Sequence, residues 1–230
     1  MIKLSGKFIP EKKEIHKMTT LILVRHGESE ATRQDLFAGH FDADLQNRGM
    51  EQARKTAKFL SENFKIDKVY ASDLKRAYKT GKCIAEQIGT EVIPNKNLRE
   101  INAGEWEGKY YYGLEELYPK EWKTWIEDIG NAYCPGGEST KQLCERVMGE
   151  IEKIAKENEG KTVVLATHAT PVRIVETMLR FGDLGNMKNV PWVSNASATV
   201  VSYEKGKWTL IKRSMDEHLG ELKTVLPDSV

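Results

Sequence analysis

Three short apolar runs in this chain stop abruptly at polar residues. Thr19 to Arg25 (TTLILVR) runs into His26 and Gly27, Lys68 to Ala71 (KVYA) into Ser72 and Asp73, and Thr162 to Thr167 (TVVLAT) into His168. Runs this short and this continuously apolar read as parallel strands buried on both faces. Helical spacing lies between them. Ala53, Ala57, Leu60 and Phe64 share one face after Met50. Leu74, Ala77, Ile84 and Ile88 share another, with Ser72 or Asp73 as its cap, and Leu143, Val147, Ile151 and Ile154 share a third after Ser139. Glu91 to Ile93 reads as a further strand ended by Pro94. Thr170 and Pro171 read as the cap and first-turn proline of a helix. Ala198 to Tyr203 and Trp208 to Lys212 read as a closing hairpin. Strands alternating with helices predict an α/β fold, a three-layer α/β/α sandwich around a mainly parallel sheet.

One stretch breaks this rhythm. About residues 103–135 carry Trp106, Tyr110, Tyr111, Tyr112, Tyr118, Trp122, Trp125 and Tyr133. They read as a small helical insertion with its own aromatic core, or as a lid with rings turned to a substrate; the two readings are compatible. The expected organisation is one domain over residues 19–230 containing this lid, preceded by a flexible tail over residues 1–18. The tail carries five lysines but no apolar signal core, and Met18 offers a second start.

The charge balance narrows the partners. Lys plus Arg number 35 and Asp plus Glu 34, so the net charge of +1 gives no footprint for nucleic acid or an anionic membrane. An anionic substrate must therefore find its positive charge concentrated in a pocket. Cys83, Cys134 and Cys144 have no short metal or redox spacing and read as reduced thiols of a cytoplasmic protein. No apolar run reaches membrane-spanning length.

In open α/β sheets, ligands bind outside the carboxyl ends of the strands. His26, preceded by Arg25, and His168 both emerge at such ends. Arg76 falls in the first turn of the helix after KVYA, and Leu98-Arg99-Glu100 follows the third strand. A lone histidine is more often structural, but two on one rim with arginines are a candidate site.

This set resembles the histidine phosphatase superfamily, also called the phosphoglycerate mutase-like family. The string Arg25-His26-Gly27-Glu28 carries the likeness. Phe37-Ala38-Gly39-His40, Leu45-Gln46-Asn47-Arg48-Gly49, Ser72-Asp73-Leu74-Lys75-Arg76-Ala77, Leu98-Arg99-Glu100 and Thr167-His168 follow in order. The resemblance implies a phosphomonoester hydrolase with His26 as nucleophile, a neutral imidazole that a phosphate dianion does not repel. It implies that Arg25 and Arg76 fork onto the phosphate and keep His26 neutral, and that His168 donates to an equatorial oxygen. Glu100 is the implied general acid, with Glu28 as the competing carboxylate and Glu105 and Glu107 as lesser alternatives. Substrate binding falls to Arg25, Thr32, Gly39, Arg76 and Ala169, helped by amides after His168. No cofactor and no metal are implied. The partner is a small phosphorylated metabolite, with room for a homodimer.

The sequence departs from the family pattern at Thr32, where Asn is common, at Ala38, where a polar residue is common, and at Ala169, where Gly is usual. Those changes bear on substrate identity rather than on chemistry. Asn195-Ala196-Ser197 resembles a late pocket wall of the family, or is a simple turn. A cofactor-dependent phosphoglycerate mutase is the chief rival, but the insertion is aromatic and acidic, which suits an apolar or aromatic leaving group, as in alpha-ribazole phosphatases. A non-catalytic module is a lesser rival because the reactive residues are all present. A metal hydrolase is another, disfavoured because the histidines lie far apart and two arginines repel a cation.

Overall fold

The apolar runs become the middle of one sheet in the computed structural model, which describes residues 17–224. The strands are β1 (Thr19–Arg25), β2 (Lys68–Ala71), β3 (Val92–Pro94), β4 (Thr162–Thr167), β5 (Ala198–Glu204) and β6 (Lys207–Met215), in the order β3-β2-β4-β1-β5-β6. The pairs β1/β4, β2/β4 and β2/β3 are parallel; β5 joins β1 antiparallel and β6 closes the edge as a hairpin. The tail expected over residues 1–18 lies, but for Lys17 and Met18, outside the described residues, as do residues 225–230.

The helices are α1 (Glu30–Arg33), α2 (Asn47–Asn63), α3 (Lys75–Ile88), α4 (Tyr111–Leu117), α5 (Pro119–Glu127), α6 (Thr140–Glu157) and α7 (Ala169–Phe181). Alternation along β1 sorts the two faces of the sheet. Ile22 and Val24 pack with Ala57 and Leu60 of α2 and Ile84 of α3. Leu21 and Leu23 pack with Leu143, Val147 and Ile151 of α6 and with Val172 and Val175 of α7. The result is a three-layer α/β/α sandwich. Each Leu, Ile or Val among them contributes roughly 1.5–3 kcal/mol by leaving water. The aromatic insertion joins the α6/α7 face: Trp106, Trp122 and Trp125 are buried in one cluster with Phe37, their rings meeting edge to face.

Several element ends differ from the sequence expectation, each for a physical reason. Helix α7 starts at Ala169 with His168 as its cap, so Pro171 sits at the third helical position, where an amide has no intrahelical partner to lose. Neither Ser72 nor Asp73 caps α3, whose N-cap is Leu74. The Asp73 carboxylate is taken by a two-pronged pair with Arg99 at 2.6 Å, and the Ser72 hydroxyl lies 2.9 Å from the His168 ring. Strand β3 runs through Pro94, which is tolerated because β3 is a sheet edge. Strand β6 continues to Met215 because shifts in register near Val200 absorb the extra residues. Ser139 does cap α6, in a reciprocal box with Gln142.

Candidate active site

The parallel strands β1, β4 and β2 are neighbours, so their carboxyl ends form one rim. The chain must turn sharply there. Gly27 allows it: a Cβ on Gly27 would stand 2.3 Å from the carbonyl of Gly49 at the start of α2. The turn leaves the His26 and His168 rings edge to face, with centroids 5.1 Å apart. Arg76 reaches across from α3, its Nε donating to His26 Nε2 at 3.2 Å.

The orientation of His26 is set by backbone. Its Nδ1 lies 2.7 Å from the Gly27 carbonyl, which can only accept, so Nδ1 carries the proton and Nε2 keeps its lone pair. The Arg76 contact agrees, because a guanidinium can only donate. Behind the ring, the His26 carbonyl accepts from Asn195 Nδ2 at 3.1 Å and from the Ala196 amide. Asn195 thus sits on a turn and is also a buried wall of the site.

The arginines are less free than the sequence suggested. Arg76 is fully buried and gives Nη1 to the Phe41 carbonyl at 2.9 Å and Nη2 to the Gly39 carbonyl at 2.7 Å. With Nε on His26, three of its five N–H groups are committed, leaving one on each Nη for an anion. Arg25 donates Nη1 to the Val193 carbonyl, while its Nε is buried with no partner. An orphaned cationic donor is costly unless an anion comes to meet it.

Four carboxylates were in contention as the acid, and their partners separate them. Glu100 faces the cavity, held by the Ile101 amide at 2.9 Å and by the Thr170 amide of α7 at 3.2 Å. Its loop is pinned from behind: Arg146 Nη2 and His40 Nε2 both reach the Glu100 carbonyl, at 3.0 and 2.9 Å. Glu28 also lines the cavity and pairs with Arg48 at 3.6 Å. Glu107 is turned away to accept from the His40 and Ala103 amides, and Glu105 accepts from the Tyr118 hydroxyl.

Thr32, Gly39 and Ala169 all line the same cavity. The Thr32 hydroxyl is 3.0 Å from that of Ser29, the cap of α1. Gly39 has a φ of +49° and sends its carbonyl to Arg76, a conformation glycine adopts without strain. Ala169 opens α7. The Thr170 amide, one of those expected to meet an anion, is already engaged by Glu100. Sequence reasoning missed Arg146, Trp192, Thr224 and the link from Ser72 to His168. Each acts across a large separation in the chain and carries no local signal.

The Histidine phosphatase superfamily (branch 1) model matches residues 21–216. The chain belongs to this family. It is similar to phosphoserine phosphatase 1 of Hydrogenobacter thermophilus, 36% identical over 89% of this chain and 96% of that one. Phosphoglycerate mutase-like protein 4 of Arabidopsis thaliana is 31% identical over 87% of each chain. Among solved structures, a phosphoserine phosphatase mutant of Entamoeba histolytica in complex with phosphoserine matches with a TM-score of 0.75 at 27% identity, covering 87% of this chain and 99% of that one.

In this histidine phosphatase, the site opens into a cavity of about 730 Å³. Within the aromatic insertion, Trp122 and Trp125 belong to the buried cluster and also line the cavity, joined there by Tyr111, Tyr112 and Ile126. Burial holds His26 well below the usual histidine range, reinforced by the positive charges of Arg76 and Arg25. His168 is held down the same way, by burial first and then by Arg76 and His26. Burial lowers Arg76 to about 10, which leaves it cationic at neutral pH.

A pH dependence of stability follows. Below about pH 6.5 the unfolded chain protonates both histidines and the folded chain does not. Stability from these groups is therefore complete above pH 6.5 and falls on acidification, each costing up to about 1.4 kcal/mol per pH unit. Urea unfolding across this range is the check, and the slope should fall in a His26→Ala variant, with His168 and the half-buried His218, also held down by burial, carrying the remainder.

Proposed function

We propose that this protein is a metal-independent phosphomonoester hydrolase that forms a phosphohistidine on His26. The observation that carries the reading is the set tautomer of His26: Nδ1–H is tied to the Gly27 carbonyl and the lone pair of Nε2 stands beside Arg76. In the first step Nε2 attacks phosphorus, a P–N bond forms, the ester P–O bond breaks, and Glu100 gives its proton to the departing alkoxide. In the second, water gives a proton to Glu100 and attacks phosphorus, the P–N bond breaks, and Nε2 regains its electron pair. Arg25, Arg76 and His168 stabilise the phosphoryl oxygens, and Thr32, Gly39 and Ala169 shape the cradle. The same reading has one catalytic domain from residue 19 onward, a lid over about residues 103–135, and a small phosphorylated metabolite as substrate, with phosphoserine the first to assay. It includes a cytoplasmic location and a homodimer. Among the described residues no helix is long and apolar enough to cross a membrane.

Two tests bear on this directly. Hydrolysis of p-nitrophenyl phosphate should persist in excess chelator, because the charge that meets the phosphate comes from arginines. Among the described residues, no three His, Cys, Asp or Glu side chains gather as a metal site needs. Activity lost to chelator and restored by magnesium or zinc would contradict the reading. Phosphate release should also exceed phosphoglycerate interconversion; bisphosphate-primed interconversion as the faster reaction would make the protein a mutase.

A further inference from the structure

The cavity has an outer half that phosphoryl transfer does not require. Arg25 and Arg76 are the cations among its lining residues, and both bear on His26. The outer wall is built instead from rings and acids. Helical spacing puts Tyr111 and Glu115 on one side of α4, and Trp122, Trp125 and Ile126 on one side of α5; all five line the cavity. Trp192 faces them, stacked on Arg173 with the guanidinium 4.2 Å from the ring centre. Asp35 completes the rim, tied to the start of α4 because its carbonyl accepts from the Tyr111 amide at 3.0 Å. Glu28 has Arg48 as its counter-charge, but Asp35 and Glu115 form no ion pair among the described residues. Burial pushes the Tyr111 phenol up to about 12, against the positive charges of Arg25 and Arg76 and with the negative charges of Glu100 and Asp35.

We propose that this outer half takes a cationic group, so that the preferred substrates are aminoalkyl phosphates, phosphomonoesters whose alcohol carries an ammonium. The proposal rests on the phosphatase reading and names its substrate class. An ammonium is attracted both by unpaired carboxylates and by the faces of Trp and Tyr rings. An ester whose alcohol carries a carboxylate and no ammonium would meet the same two acids, with Arg25 and Arg76 taken up by its phosphate. An amine-bearing ester is therefore drawn in with its phosphate toward Arg25 and Arg76 and its cation toward α4.

The isosteric pair O-phosphoethanolamine and n-propyl phosphate isolates the charge, since they match in size. At low ionic strength kcat/KM should favour the ammonium ester by about tenfold, and added salt should shrink the advantage. The order should continue downward to 3-phosphoglycerate. Asp35→Asn and Glu115→Gln together should remove most of the preference, chiefly through KM, and leave turnover of p-nitrophenyl phosphate and n-propyl phosphate unchanged. Equal kcat/KM for the isosteric pair would overturn the proposal. So would a preference that survives in the double variant, or a loss in that variant that is uniform across substrates. If no ester is hydrolysed, p-nitrophenyl phosphate included, the phosphatase reading falls and this proposal falls with it.

Discussion

Glu100→Gln is expected to slow hydrolysis of alkyl phosphates by about a hundredfold to ten-thousandfold, the usual worth of a positioned general acid. The substitution keeps the size of the side chain and one oxygen for the Ile101 or Thr170 amide, so the loop held by Arg146 and His40 should stay in place. What it removes is the transferable proton. An alkoxide leaves poorly without that proton, whereas p-nitrophenolate leaves well. The first-turnover burst with p-nitrophenyl phosphate should therefore be slowed far less than the burst with an alkyl ester. Steady-state turnover should fall for both, because the same carboxylate takes the proton from water. Equal slowing of the two bursts would remove Glu100 from the role. Glu28 would then be the candidate, since Glu105 and Glu107 are engaged elsewhere.

His26→Ala should be more severe, with turnover lost by about four to six orders of magnitude, as when other covalent nucleophiles are removed. The fold should survive. The backbone of residue 26 keeps its bonds to Asn195, Ala196 and Thr167, and the ring that is lost sits unprotonated among arginines. A stability change within about 1–2 kcal/mol by urea unfolding at neutral pH is expected. The variant should still bind inorganic phosphate, because Arg25, Arg76 and His168 remain. Turnover close to wild type in this variant would refute the mechanism.

The reactive residues were legible because the fold announces its own rim. A buried parallel strand is a continuous apolar run, so its end is visible in the sequence, and Arg25, His26 and His168 stand at such ends. Arg76 and Glu100 were legible through their place after strand ends and through the ordered family strings. What holds these residues was not legible. The Asn195 bond to the His26 carbonyl spans 169 residues, and the Ser72 contact with His168 spans 96. Arg146 drew no notice in the sequence, yet it binds three carbonyls of the Asn97–Glu100 loop. Partners of this kind are set by how α6 and α7 lie on the sheet, and no local pattern encodes that. The start of α3 was misplaced for a related reason. Ser72 and Asp73 have capping chemistry, but tertiary partners claimed their side chains. The aromatic insertion was visible as a unit, while the sorting of its rings between core and cavity depended on the packing of α4 and α5.

The most direct measurement is rapid chemical quench of the wild-type enzyme with phosphorus-labelled p-nitrophenyl phosphate inside the first turnover, with the label located by peptide mapping. The account predicts a phosphate stable in base and labile in acid, on the peptide containing His26, formed and lost at rates that match turnover and absent from His26→Ala. A label on any other residue, or first-turnover hydrolysis with no enzyme-bound phosphate, would contradict it.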